Sequence, residues 1–249
     1  MLSIDLNCDM GEGMEQDPLL MKYISSANIA CGGHAGNSDS IKRTIELALQ
    51  HKVAVGAHPS YIDKENFGRV DLLNNNYSFD KLRNDLVKQL TEFSEICRQF
   101  GITAHHVKPH GALYNRAAKD SKLAALICSI VLELGYPPVL YGLSGSEQEK
   151  ITAAAGIRFV HEVFSDRTYQ NDGTLTPRTS PGALIEDEET CLNQVLGIIK
   201  TNTVSTVEGQ KIGIKADTLC VHGDGSHALQ FASSLRSMLD REGIAVIAP

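Results

Sequence analysis

Short apolar runs alternate with longer amphipathic stretches from one end of the chain to the other. Seven runs have the length of buried strands and are predicted to be strands: residues 2–6, 27–30, 53–57, 103–107, 138–141, 158–164 and 218–221. A helical pattern follows each run, most clearly over residues 37–51 and 78–100, where apolar side chains recur every three or four positions. Residues 244–247 are predicted to be a final strand or a packed tail.

Helix-capping residues precede several of these helical patterns. Asn37 and Ser78 are predicted to be N-caps, and Asp17 is predicted to cap a short helix that begins with Pro18. These signals place the helix starts independently of the apolar spacing.

The alternation of strands and helices predicts a parallel sheet covered by helices. The order of elements alone leaves an open doubly wound sheet and a closed barrel as alternatives. Polar residues follow nearly every predicted strand, and only in a barrel do all strand ends meet at one mouth. The sequence therefore favours an α/β fold in which a single β/α barrel domain occupies residues 1–249.

Composition and charge narrow the class of protein. The formal net charge is −7, so no basic surface for nucleic acid is expected. No apolar run is long enough to cross a membrane, and the first ten residues contain two aspartates but no basic segment. A cytoplasmic protein that binds neither nucleic acid nor membrane is expected. The six cysteines form no C-x-x-C pair and are interpreted as reduced, packed thiols, although Cys8, Cys31 and Cys220 lie near strand ends.

Ionisable and amide side chains gather just after the predicted strands. In chain order they are Asn7, Asp9, Glu12, Asn28, His34, His58, Lys108, His110, Asp166, Arg167, His222 and Asp224. Any one of them alone would be interpreted as a capping or loop residue, but the whole set at one barrel mouth predicts a functional site. The remaining histidines are interpreted as structural: His51, His105, His106, His161 and His227.

Two catalytic chemistries fit these residues. Asp9, His34 and His58 could hold a divalent metal that polarises a carbonyl or activates water. Without a metal, Asp9 or Glu12 could act as a base and a histidine as an acid. The ligands would come from different strands, so no local motif decides between the two.

Anion binding is the third possibility. Lys108 and Arg167 could clamp a carboxylate or a phosphate. Residues 222–226 precede the last helix and are either an anion site or an ordinary glycine turn. Gly32 and Gly33 are predicted to let backbone and substrate approach closely. The chain has no G-x-x-x-x-G-K-[ST] motif, which disfavours a phosphate loop for ATP within it.

Six sequence blocks, in order, resemble the LamB/YcsF family. They are DLNCDMGEG (5–13), SANIACGGHAG (26–36), GAHPSY (56–61), HVKPHGALYN (106–115), the Asp166-Arg167-x-Tyr169 segment with Asp172-Gly173 and Pro177-Arg178, and CVHGD (220–224). The resemblance covers almost the whole chain. It implies a distorted seven-stranded β/α barrel of the glycoside hydrolase/deacetylase type. It also implies a role in the ATP-dependent opening of the 5-oxoproline lactam ring to glutamate, shared with separate B and C subunits.

The residues and the resemblance together predict a division of roles. Catalysis is assigned to Asp9, Glu12, His34, His58 and His110. Substrate binding is assigned to Asn7, Asn28, Lys108, Asp166, Arg167, His222 and Asp224. ATP is expected to be used with the partner subunits, while a divalent metal and a homo-oligomer are left open. Two alternatives stand beside this role: a metal-dependent carbohydrate or amide deacetylase, and a non-catalytic subunit that delivers substrate.

Overall fold

Seven parallel strands close into a barrel in the computed structural model, which describes residues 2–74, 77–136, 139–221 and 228–249. The strands of the described residues are β1 (Ser3–Met10), β2 (Ser26–Ala30), β3 (Ala54–His58), β4 (His106–Val107), β5 (Val139–Leu143), β6 (Arg158–Phe164), β7 (Thr203–Ser205), β8 (Lys211–Gly213), β9 (Thr218–Cys220) and β10 (Ala245–Val246). The barrel consists of β1 to β6 and β9. Because β9 pairs with both β6 and β1, the ring is closed, which confirms the predicted barrel and excludes an open sheet.

Helices surround the barrel. They are α1 (Asp17–Leu20), α2 (Ser38–His51), α3 (Phe79–Gln99), α4 (Gly111–Ala117), α5 (Ser121–Glu133), α6 (Glu147–Ala154), α7 (Glu188–Thr201) and α8 (Ala228–Arg241). The predicted caps of α2 and α3 are confirmed, since the side chains of Asn37 and Ser78 accept hydrogen bonds from first-turn N–H groups. The prediction for Asp17 is wrong: Gln16 is the N-cap, and the Asp17 carboxylate accepts from the N–H of Gly11. Among the described residues, no helix is both long and apolar enough to cross a membrane.

Three strands depart from the predicted pattern, and the predicted final strand is present. β7 and β8 form an antiparallel hairpin whose strands of three residues are too short to give an apolar run. β10 pairs with Ser3 and Ile4 at the start of β1, so the predicted final strand extends the sheet beside the barrel. β4 contains only His106 and Val107, because residues 103–105 lie outside the sheet.

The barrel interior is polar along β1. The side chains of Asp5, Asn7 and Asp9 make hydrogen bonds to residues on other barrel strands or just after them. The alternating apolar residues of β1 belong to the hydrophobic core that barrel and helices share: Ile4, Leu6, Cys8 and Met10. Because strand side chains alternate, one strand can contribute to both the core and the polar interior. A polar column therefore runs up to the carboxyl ends of the strands.

Candidate active site

A cavity of about 560 Å³ opens at the carboxyl ends of the barrel strands. One side of it is lined by residues at or just after the ends of β1, β3 and β4: Asp9, Glu12, His58, Lys108 and His110. The other sides come from residues 67–69, from α4 and the turn after it, and from residues 174–179. Arg167 also lines this space. The structure therefore brings six of the sequence-predicted site residues to one cavity.

Two histidines face each other beside this cavity. Nε2 of His58 lies 2.9 Å from Nδ1 of His110. The other ring nitrogen of His58 lies 2.7 Å from the carbonyl oxygen of Lys108, and that of His110 lies 3.0 Å from the carbonyl oxygen of Phe67. A carbonyl oxygen only accepts hydrogen bonds, so both of these outer nitrogens carry a hydrogen. In neutral rings the two inner nitrogens would then both be acceptors, and a proton or another cation must lie between them.

Glu12 and His34 extend this pair into a cluster. Nε2 of His34 lies 2.8 Å from Oε1 of Glu12, and the same oxygen lies 3.5 Å from Nδ1 of His110. The His34 ring stacks on the His110 ring with their centroids 3.6 Å apart. His34 does not line the cavity but lies behind Glu12 and His110. Its Nδ1 is buried and has no hydrogen-bond partner in the described part of the chain.

Burial and neighbouring charges set the protonation of the cluster. Burial and the neighbouring His58 lower the pKa of His34 to about 3 and the pKa of His110 to about 2. Burial alone would raise the pKa of Asp9, but the charges of His58 and Lys108 hold it well below its usual range. His34 and His110 are therefore neutral imidazoles at neutral pH, and Asp9 is a carboxylate that lies 3.2 Å from Nε2 of His58.

Lys108 is a buried residue whose ammonium group is already bound by the protein. Its Nζ lies 3.0 Å from Oδ1 of Asn7 and 3.0 Å from Oδ1 of Asp9. It also lies 2.8 Å from Oε1 of Glu162, in an ion pair whose angles fall outside those of a regular hydrogen bond. Burial opposes the charge, but these carboxylates outweigh it and raise the pKa of Lys108. Sγ of Cys220 accepts a third hydrogen bond at 3.4 Å, so all three N–H donors of Lys108 are used within the protein. Lys108 therefore holds the site together, and the prediction that it clamps a substrate anion finds no support in this geometry.

Asn7 and Asn28 lie inside the barrel and do not line the cavity. The amide of Asn28 donates to Oδ1 of Asn7 and to Oδ1 of Asp9, at 2.8 Å in each case. Its own oxygen lies 2.7 Å from Nε2 of His106, whose ring stacks on Tyr141. Asn7 and Asn28, which are predicted to bind substrate, therefore position Asp9 from inside the barrel. His106, which is interpreted as structural, belongs to the same hydrogen-bond network.

The other predicted binding residues lie in the segment after β6 or outside the described residues. Arg167 donates from Nη2 to the carbonyl of Thr176 at 2.6 Å and from Nε to the carbonyl of Ala183 at 3.4 Å. It lines the cavity while holding two parts of its own loop together. Asp166 is half-buried, and its backbone carbonyl accepts from Ile185. His222 and Asp224, with the predicted anion site at 222–226, lie outside the described residues.

Sequence reasoning missed several residues that shape the cavity. Glu162 is fully buried against Lys108, and Tyr114 lines the cavity from α4. Three basic side chains also line it: Arg69, Lys119 and Arg178. The sequence did contain a signal for Glu162. Side chains alternate along a strand, so Glu162 shares one face of the predicted strand with Val160 and Phe164, where a carboxylate is unusual. The basic residues lie in loops, where no periodicity marks a direction.

Gly33, beside His34, has a close approach that the prediction did not include. A Cβ on Gly33 would lie 2.4 Å from Oγ of Ser60 and 2.6 Å from Oε1 of Gln89. The close approach at Gly33 is therefore to the protein itself, and it brings the loop after β3 against the loop after β2. Gly32 has a φ of +89°, a conformation that favours glycine.

The cysteines are free and buried, as interpreted from the sequence. Burial raises the pKa of the thiols of Cys8, Cys31 and Cys220. A thiol that stays protonated is a poor nucleophile, so the strand-end cysteines are packing residues.

The predicted metal ligands Asp9, His34 and His58 differ from the group that converges in the structure, which lacks Asp9 and adds Glu12 and His110. In the described part of the chain, the side chains whose donor atoms all converge within 4.8 Å of one another are Glu12, His34, His58 and His110. Asp9 is outside this group, although it contacts His58. Three imidazoles and one carboxylate form a donor set typical of zinc and similar ions, so these residues fit a divalent metal.

Comparisons with known proteins agree over the whole chain. The LamB/YcsF family model matches residues 4–249. The A subunit of a 5-oxoprolinase from Bordetella pertussis is 45% identical over 250 residues, which cover 98% of each chain. A lactam utilization protein from Thermus thermophilus matches with a TM-score of 0.92 at 35% identity and covers 100% of both chains. A peptidoglycan deacetylase from Bacillus subtilis, with a TM-score of 0.51 at 9% identity, covers 99% of this chain and 87% of that one and shares the fold alone.

Proposed function

Because the chain belongs to the LamB/YcsF family, we propose that it acts as the A component of a 5-oxoprolinase and opens the lactam ring of 5-oxoproline to give glutamate. Two kinds of relative, the A subunit of 5-oxoprolinase and a lactam utilization protein, are similar over their full lengths and support this role. The observation that carries the proposal is the cavity itself. Acid and base groups and several basic side chains line this one cavity.

The reaction needs the groups that this cavity offers. A five-membered lactam is a stable neutral amide, and 5-oxoproline also carries one carboxylate. Ring opening requires a base for the attacking water, an acid for the departing nitrogen and a cation for the carboxylate. The acid for the departing nitrogen is a proton held between His58 and His110, whose facing nitrogens are 2.9 Å apart.

Each of the other roles follows from position. Glu12 lines the cavity next to the histidine pair and is the base in this proposal. Asp9 balances the charge of His58 and keeps the proton of the pair close to the cavity. The substrate carboxylate binds basic side chains that also line the cavity, Arg69, Lys119 and Arg178, rather than Lys108. A metal held by Glu12 and the three histidines would take the place of the shared proton and would supply Lewis-acid polarisation of the carbonyl instead.

ATP enters the proposal through partner subunits. The chain has no phosphate-loop motif, so separate B and C subunits would bind the nucleotide and activate the lactam oxygen by phosphorylation. The activated ring would then be opened in the cavity of this chain. This division explains why a chain with acid–base groups needs partners to turn over a stable amide.

Reconstitution tests the proposal. The chain is mixed with candidate B and C subunits, ATP and 5-oxoproline, and both glutamate and phosphate are measured. We expect glutamate to form only when the chain is present. Replacing Glu12 by Gln should lower the rate of glutamate formation at least about 100-fold, the scale of one lost general base.

Glu15→Gln is the matched control, because Glu15 is exposed and lies three positions from Glu12. This variant should keep the wild-type rate. Equal glutamate formation with and without the chain, or full activity of Glu12→Gln, would refute the proposed function.

A further inference from the structure

The four groups beside the cavity have their donor atoms arranged around one point. Oε1 of Glu12 lies 2.8 Å from Nε2 of His34 and 3.5 Å from Nδ1 of His110, and Nδ1 of His110 lies 2.9 Å from Nε2 of His58. Ligand atoms around a tetrahedral zinc ion lie about 3.4 Å from one another, given bonds of about 2.1 Å. The observed separations bracket that value.

The orientation of two of the rings is the one that metal-binding histidines adopt. His58 donates its outer N–H to the carbonyl of Lys108, and His110 donates its outer N–H to the carbonyl of Phe67. Such backbone acceptors fix the tautomer and direct the other nitrogen lone pair at a metal. Here both lone pairs point at each other across 2.9 Å, an arrangement that repels unless a cation separates them.

The charge of the surroundings also calls for a cation. Three carboxylates lie in or next to the cluster, Asp9, Glu12 and Glu162, and the side chains of Glu12 and Glu162 are almost or fully buried. Lys108 offsets one of these charges and Arg69, which lines the same cavity, a second. Buried carboxylates need compensation by nearby cations, and a divalent ion bound by Glu12 would be one of them.

His34 is the ligand that has to move. Its ring is parallel to that of His110, with an interplanar angle of 3°, so the lone pairs of the two rings lie in parallel planes. For Nε2 of His34 to join the other ligands, the ring must rotate out of this stack. Nδ1 of His34 has no hydrogen bond among the described residues, so the rotation breaks no hydrogen bond of Nδ1 to them.

We propose that Glu12, His34, His58 and His110 bind one divalent first-row transition-metal ion of the zinc class. Three nitrogens and one oxygen exclude magnesium and calcium, which prefer oxygen ligands throughout. Such an ion would replace the proton between His58 and His110 and engage Glu12, so it would take over the roles proposed above for these groups. Its binding is measured without lactam, ATP or partner subunits, so the test of the metal site is separate from the test of the proposed function.

Metal binding to the full chain tests the proposal directly. The chain is treated with a chelator, dialysed, and titrated with Zn²⁺ by calorimetry and with Co²⁺ by visible absorption. We expect one ion per chain, a Co²⁺ spectrum with the intense visible bands of low coordination number, and a higher melting temperature with either ion. In the Co²⁺ form, proton NMR should show shifted exchangeable N–H signals from His58 and His110.

Variants assign the ligands. Glu12→Gln and His34→Asn should each weaken Zn²⁺ binding at least about 10-fold, the scale on which changes around a metal site lower affinity, and circular dichroism establishes that each variant is folded. His51→Asn is the matched control, because His51 is exposed at the end of α2, and it should bind Zn²⁺ as the wild type does. Absence of stoichiometric binding by the wild type, or unchanged binding by both Glu12→Gln and His34→Asn, would overturn the proposal and leave a shared proton between the histidines.

Discussion

The ammonium nitrogen of Lys108 lies 3.0 Å from Oδ1 of Asp9, which joins the end of β4 to the end of β1 across the top of the barrel. Glu162, on β6, approaches the same nitrogen at 2.8 Å. Three strands that are far apart in sequence therefore meet at one buried charge. This contact also fixes the candidate acid–base groups, because the Asp9 carboxylate that Lys108 binds contacts His58 as well.

Removing the ammonium group should destabilise the fold strongly. Lys108→Met leaves Asp9 and the buried Glu162 without their cation, and breaking a buried ion pair costs roughly 3–5 kcal/mol in the free energy of unfolding. Guanidinium denaturation measures this loss. The double variant Lys108→Met/Glu162→Gln should recover part of it. Lys88→Met, at an exposed position of α3, is the control and should change stability by less than about 0.5 kcal/mol.

Much of this arrangement was visible in the sequence of β1. Polar residues at Asp5, Asn7 and Asp9 alternate with apolar ones, and the structure places the two sets in the polar interior and in the core. What the sequence could not give is the identity of the cross-barrel partners. Lys108 was predicted to bind substrate because its charge stands at a strand end, whereas the depth of the side chain depends on which residues surround it.

Gly56 is a position where the barrel interior has no room for a side chain. A Cβ there would lie 2.1 Å from Nε2 of His106, the nitrogen that faces Asn28. Gly56→Ala should therefore displace the His106 ring, loosen Asn28 and lower the free energy of unfolding by about 1–3 kcal/mol. Urea denaturation measures the change. Gly213→Ala, where a Cβ would meet nothing within 4 Å, is the control, and an equal effect of both variants would contradict the prediction.

The histidine cluster shows a second limit of sequence reasoning. His34, His58 and His110 were predicted to share a site, and they do. The carbonyl of Phe67, which fixes the tautomer of His110, belongs to the loop between β3 and α3. Any residue type supplies a carbonyl, so no pattern of side chains could have identified this contact.

A second ionisable group, away from the cavity described above, makes stability depend on pH. His161 lies between two carboxylates: its Nε2 is 2.9 Å from Oε1 of Glu149, and its Nδ1 contacts Oδ2 of Asp217. Nζ of Lys215 lies 3.7 Å from the same oxygen of Asp217. Burial opposes the charge of His161, but the hydrogen bonds to Asp217 and Glu149 outweigh it and raise its pKa. A raised pKa stabilises the fold fully below the unfolded value of about 6.5, and this contribution disappears as the pH rises through the folded value.

The stability difference between wild type and His161→Gln should therefore be larger at about pH 6 than at about pH 9, on either side of the raised pKa. Urea unfolding at several pH values measures it. The exposed His51→Gln should show no such trend. A difference that grows toward alkaline pH would show that His161 is neutral in the folded protein. Asp217, whose pKa is lowered despite burial, contributes in the opposite direction only in acid, where its carboxylate becomes protonated.

Arg167 holds the segment after β6 in shape, and its replacement should loosen that segment while leaving the barrel intact. Its guanidinium reaches two carbonyls, those of Thr176 and Ala183, which a lysine amine with a single nitrogen cannot bridge in the same way. Arg167→Lys should therefore increase cleavage within residues 166–185 in limited proteolysis, with sites read by mass spectrometry. Arg158→Lys, at an exposed position of β6, is the control. If Arg167 served only as an anion clamp, cleavage would stay at the wild-type rate, because the loop would not depend on the side chain for its shape.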